Sequence, residues 1–263
     1  MVEMRKMLSE AVMWLVCMAL SFSCTVKENR NLCPCQLELD FSDIDTVVMK
    51  SVDMCMVASD GFLLSEVIGH EQWGSGRIYR IPRTEMSLNV YYGGQDAVDD
   101  MGRLSISPGD ECPPVFVHTS VFDADCEYRY EKVAMWKNYC QITINVAEPD
   151  NFGYGLVVRG NVSGYDVDGR PREGEFLVRK SIDKEGVCKV LVPRQLDGSL
   201  MLDVDGDDGT VKRFALGEYV LEAGYDWNAK ELKDVTVGLD YSLTSLSLSV
   251  QGWDEENFFD VEM

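Results

Sequence analysis

Three observations predict an all-β chain built from antiparallel sandwiches. Apolar and polar residues alternate in short runs, glycine-bearing turns separate the runs, and no amphipathic helix of ordinary length competes. The alternation is plain in Leu37, Leu39 and Phe41 set against Glu38, Asp40 and Ser42. It returns in Ser87–Val90, Ile142–Val146, Val235–Leu239 and Ser245–Val250, where Leu246, Leu248 and Val250 share one face. A period of two is that of a strand with one buried face. The turns are Gly93-Gly94, Pro108-Gly109, Asp168-Gly169, Asp197-Gly198 and Asp208-Gly209, which supply the positive φ that hairpins need.

Taken in order, the chain begins with Arg5 and Lys6, then the apolar run Ala11–Leu20, then Ser21-Phe22-Ser23-Cys24. The run is too short for a membrane-spanning helix and reads as an export signal over residues 1–23. A cysteine directly after a small residue at that place resembles a bacterial lipobox, with Ser21 standing where Leu is usual. The expectation is cleavage between Ser23 and Cys24 and lipidation of Cys24, whose acyl chains would anchor the protein to a membrane. Residues 24–35 then form a polar tether, residues 36–147 an N-terminal sandwich and residues 148–263 a C-terminal one. The break is placed at the turn-rich Ala147–Gly153. Within the second half, Val162–Tyr165, the turn at Asp168-Gly169 and the return toward Phe176 have the chemistry of a hairpin.

The net charge of the 263 residues is −21, and it is unchanged without residues 1–23, where Glu3 and Glu10 balance Arg5 and Lys6. Such a field repels polyanions, so nucleic acid is not an expected partner. The cysteines left after Cys17 and Cys24 are Cys33, Cys35, Cys55, Cys112, Cys126, Cys140 and Cys188. All seven are candidate disulfide cysteines in an oxidising compartment, with connectivity open and one residue odd. Cys33-Pro34-Cys35 lacks the spacing and the second pair that a zinc site needs, so no metal is expected.

Catalytic constellations are weak. His70 and His118 are the only histidines; Ile68–Gly76 has no nucleophile elbow, and His118 sits in a strand-like run. No acidic pair stands out for glycoside hydrolysis. Asp203–Gly209 resembles a calcium loop only briefly, because Asp208 and Phe214 occupy the places where an EF-hand needs glycine and glutamate. No phosphate loop occurs. The expectation is a protein that is not an enzyme and has no cofactor. Trp73, Trp136, Trp227 and Trp253, with Tyr91 and Tyr92, could stack on sugars, which makes a surface glycan-binding sandwich lipoprotein the alternative, although most such aromatics fill sandwich cores.

Several stretches taken together resemble the FimB-type anchoring subunits, the minor fimbrillin lipoproteins of Bacteroides-like bacteria. They are Cys33–Ser42, Ile81–Arg83, Gly160–Asp166, Val192–Asp197, Leu216–Tyr219, Gly224–Trp227 with Leu232, and the closing strand through Trp253. The tail after Asp254 departs from the pattern. The resemblance implies two tandem transthyretin-like antiparallel β-sandwich domains with Greek-key connections, lipid-anchored and surface-exposed at the cell outer membrane. It also implies fimbrillin subunits as partners, attachment of a fimbrial polymer and a limit on its length, with no small-molecule substrate. Strand addition would make the subunit contact, and Leu246, Leu248, Val250 and Trp253 are the residues expected to supply or border it.

Overall fold

Residues 33–94, 97–99, 102–147, 155–166, 169–205, 209–240, 245–250 and 257–260 are described by a computed structural model. Ser23, Cys24 and Trp253 lie outside them. The strands of the first half are β1 (Cys35–Asp40), β2 (Ser51–Ala58), β3 (Leu63–Gly69), β4 (Arg77–Ile81), β5 (Glu85–Tyr92), β6 (Leu104–Ser105), β7 (Phe116–Asp123), β8 (Tyr128–Lys132) and β9 (Trp136–Lys137). Those of the second are β10 (Tyr139–Val146), β11 (Gly155–Tyr165), β12 (Pro171–Ser181), β13 (Val187–Pro193), β14 (Met201–Asp205), β15 (Val211–Phe214), β16 (Val235–Asp240), β17 (Ser245–Val250) and β18 (Asn257–Asp260). Among the described residues a 3-10 helix spans His70–Ser75, and one short α-helix, α1 (Leu216–Glu222), buries Leu216 and Val220 one turn apart, the spacing that faces two side chains the same way.

Sheets of order β4-β1-β8 and β3-β2-β5-β7-β9 make the first sandwich. Sheets of order β13-β10-β16-β17-β18 and β12-β11-β14-β15 make the second. Each encloses its own apolar core, Leu37, Leu39, Met54, Met56, Leu88 and Val90 in the first and Ile142, Ile144, Val158, Val190, Leu202 and Val237 in the second. The path repeats. In each half the second and third strands form a hairpin on one sheet, while the first strand lies mid-sheet opposite, antiparallel to the fourth. This is the expected pair of transthyretin-like sandwiches with crossing connections.

Two pairings depart from the antiparallel expectation. β1 runs parallel to β8, and β10 parallel to β16. Parallel neighbours require a long crossover, and here several strands of the opposite sheet provide it. Nothing local in the alternation distinguishes the two cases.

The division of the chain also differs from expectation. β10 precedes the expected break at 147, yet it is an interior strand of a second-half sheet, paired with β13 and β16. Asn138 alone separates β9 from β10. Leu104, Ile106, Cys112 and Val115 enter the second core before the chain returns to the first as β7. Cys35, assigned by sequence to the tether, is already the first residue of β1 and fully buried.

The sandwiches are joined through the outer face of the β5 sheet. Asn89, Tyr91 and Cys55 point away from the first core and are nonetheless buried. Gly102 comes so close to Cys55 that a Cβ there would lie 2.8 Å from its sulfur, and Gly169 of the β11–β12 turn approaches Thr119 as closely. Asn138 sits at the junction, where its carbonyl accepts from the Tyr165 hydroxyl at 2.7 Å.

Candidate functional site

The C-terminal strand expected to make the polymer contact is not an open edge. β17 pairs with β16 from Ser245 to Val250 and with β18 from Ser245 to Leu248. Leu248, expected to supply or border the contact, is fully buried in the second core. Leu246 and Val250 take ladder positions opposite Leu239 and Val235. The periodicity of this strand reports core packing, as in any half-buried strand.

The first sandwich presents a different edge. By the repeat, β8 corresponds to β16, but no described strand covers β8 as β17 covers β16. Its core-facing positions hold Arg129 and Glu131, aligned with Leu37 and Leu39 of β1. The guanidinium of Arg129 lies 5.0 Å from the Phe122 ring and 3.6 Å from the Glu131 carboxylate. Glu131 in turn lies 3.8 Å from Nε2 of His118, and the His118 Nδ1 accepts from the Ala134 N–H at 3.2 Å. Inward charges on an edge strand discourage indiscriminate pairing.

On the outer face of the same sheet, Tyr128 donates to Glu38 and Tyr130 to Asp40. The Tyr130 hydroxyl and then the Ser42 N–H hold Asp40 below the ordinary carboxylate range, while the Asp40 carboxylate pushes Tyr130 up to about 12. Beside them opens a cleft of about 600 Å³, lined by Asp40, Phe41, Thr46, His70, Trp73 and Tyr130. It is acidic and aromatic. Trp73 stacks on Phe41 with ring centroids 6.0 Å apart.

At the start of β1, Sγ of Cys35 lies 3.7 Å from Sγ of Cys126. Burial, then the neighbouring Cys126, raises the Cys35 thiol to about 11, and the charges of Arg83 and Arg129 oppose that rise. Of the other candidate cysteines, Cys33 is exposed and Cys55, Cys112, Cys140 and Cys188 are buried. Sequence gave each cysteine equal standing, because proximity across 91 positions leaves no local trace.

The remaining sites fall as follows. His70 faces the Lys50 carbonyl at 3.2 Å and Glu71 at 3.6 Å. Asp203 belongs to β14, and its carboxylate accepts from Arg159 at 2.9 Å and Arg213 at 2.7 Å. Trp73, Trp227 and Tyr91 are buried, as sandwich aromatics usually are.

No protein-family model matches the chain, and no curated protein matches its sequence. Solved structures do match its fold. A candidate polysaccharide-binding protein of Bacteroides thetaiotaomicron aligns with 87% of this chain and 98% of its own at 10% identity, with a TM-score of 0.62. The fimbrial anchor protein Mfa2 of Porphyromonas gingivalis aligns with 84% and 98% at 14% identity, TM-score 0.56. A candidate adhesin of B. thetaiotaomicron aligns with 84% and 97% at 13% identity, TM-score 0.52. The chain shares their fold. The match spans nearly all of each relative, so both sandwiches are included.

Proposed function

We propose that this chain is a lipid-anchored fimbrial subunit, non-enzymatic and without a cofactor or small-molecule substrate. Lipid on Cys24 holds it at the outer membrane, facing outward, and it attaches a fimbrial polymer to the cell and limits the polymer's length. Its partners are fimbrillin subunits, joined by strand addition at a sheet edge. The observation that carries this reading is the shared fold with the Mfa2 anchor over 84% of this chain. No described strand covers the β8 edge, where an incoming strand would continue the β4-β1-β8 sheet beside the inward Arg129 and Glu131.

Mass spectrometry of the N-terminal peptide from membrane fractions tests the reading, comparing wild type with Cys24→Ala and identifying what co-purifies. An acyl mass on Cys24 with fimbrillins retained is the expected result. An unmodified, soluble wild-type chain without fimbrillins would overturn it.

A second reading rests on the likeness to the candidate polysaccharide-binding protein and on the cleft beside Trp73. It takes the chain as a surface glycan-binding lipoprotein. Glycan-array binding that disappears in Tyr130→Ala would favour it over the fimbrial reading.

A further inference from the structure

We infer that Cys35 and Cys126 form a disulfide that fastens the first strand of the fold to the segment leading into β8. Their sulfurs are 3.7 Å apart, across a sequence separation of 91 residues. The backbone already brings the two segments together, since the Gln36 N–H donates to the Glu127 carbonyl at 3.0 Å and the parallel ladder starts with Gln36 opposite Tyr128. Cys33, two residues before Cys35 in the sequence, is exposed.

Burial raises the Cys35 thiol, and nearby positive charge offsets part of that rise. Nε and Nη2 of Arg83 and Nε of Arg129 are buried with no hydrogen-bond partner in the described structure, and both guanidinium charges act on Cys35. Positive charge stabilises the thiolate on which exchange depends. The oxidant is a disulfide, that of a thiol oxidoreductase or of oxidised glutathione. The partly accessible Cys126 thiolate attacks one oxidant sulfur, forming a mixed disulfide and releasing the other as a thiolate. The Cys35 thiolate then attacks Cys126 and expels the second oxidant sulfur. The two protein thiols lose two protons and two electrons, and the oxidant's disulfide is reduced to two thiols.

The bond would stand at the end of β1 where the chain enters the fold. A pull on the preceding residues would otherwise load the β1 ladders first at Cys35. With the bond in place, the pull passes directly to the β8 segment. That mechanical role rests on the anchoring reading; the pairing itself rests on the geometry.

The test is peptide mapping of the full-length protein, alkylated without reduction after equilibration in a glutathione redox buffer. A linked peptide pair containing Cys35 and Cys126 is expected. Reduction should lower the wild-type melting temperature by about 5–10 °C and leave Cys126→Ser unmoved. Cys35 recovered as an alkylated free thiol, or linked to another cysteine, would overturn the pairing. Either result is independent of whether Cys24 carries lipid or fimbrillins co-purify, so this inference and the functional reading fail separately.

Discussion

Nε of Arg194 donates to Oδ1 of Asn138 at 2.8 Å, and this contact lies where the two sandwiches meet. Asn138 is the whole connection between β9 and β10. The Arg194 N–H donates to the Tyr165 hydroxyl at 2.8 Å, and its guanidinium reaches the carbonyls of Trp227 and Ala229. The side chain thus ties the linker to the 227–229 segment, while the backbone N–H of the same residue holds Tyr165 of β11.

Replacing Arg194 by Met keeps much of the volume but strands these acceptors without donors. Arg194→Met is expected to destabilise the protein by about 2–4 kcal/mol in urea unfolding. A loss below about 0.5 kcal/mol would show that the junction does not depend on it.

Asp203 gives an acid-side prediction. Arg213 first, and Arg159 with it, hold its carboxyl below the ordinary value of 3.8 despite its burial. A depressed folded-state pKa stabilises fully above the unfolded value and loses that stabilisation as pH falls through the folded one. Asp203→Asn should therefore cost about 1–2 kcal/mol at pH 7, with the gap to wild type closing below about pH 4. A gap that stays constant down to pH 2 would contradict the assignment.

His118 gives a prediction at milder pH. Its pKa is lowered, chiefly by burial, against the opposing influence of the Ala134 backbone and Glu131 and with a smaller push from Lys230. The unfolded chain then takes up the proton first, so stability should fall as pH drops below about 6.5. NMR titration of the His118 ring checks this, and a midpoint above 6.5 would reverse the sign.

Gly164 has φ of 149°, and a Cβ there would stand 2.0 Å from the Leu104 carbonyl oxygen. The close approach is what lets β6 pair with β11. Gly164→Ala should cost about 3 kcal/mol or more. Gly109→Ala is the control, with positive φ but open space around it, and should cost about 1 kcal/mol.

Leu248 separates core packing from polymer contact. Buried as it is in the second core, Leu248→Ala should destabilise the isolated subunit by about 2–5 kcal/mol. An unchanged melting temperature with lost fimbrillin binding would restore the surface role that its alternation first suggested.

What the sequence settled by itself was local. Alternation set the faces of β1, β10, β16 and β17, and Asp168-Gly169 placed the β11–β12 turn, because a two-residue period and a positive-φ glycine act within a few residues. It was less legible in β5, where Val90 faces the first core while Asn89 and Tyr91 are covered from the other side. A strand buried on both faces loses its alternation. Tertiary structure alone decided that β1 lies parallel to β8, that β10 belongs to the second sandwich, that β17 is covered while no described strand covers β8, and that Cys35 meets Cys126. These are matters of which distant segments share a sheet. They depend on long-range register and packing, for which residue spacing carries no signal.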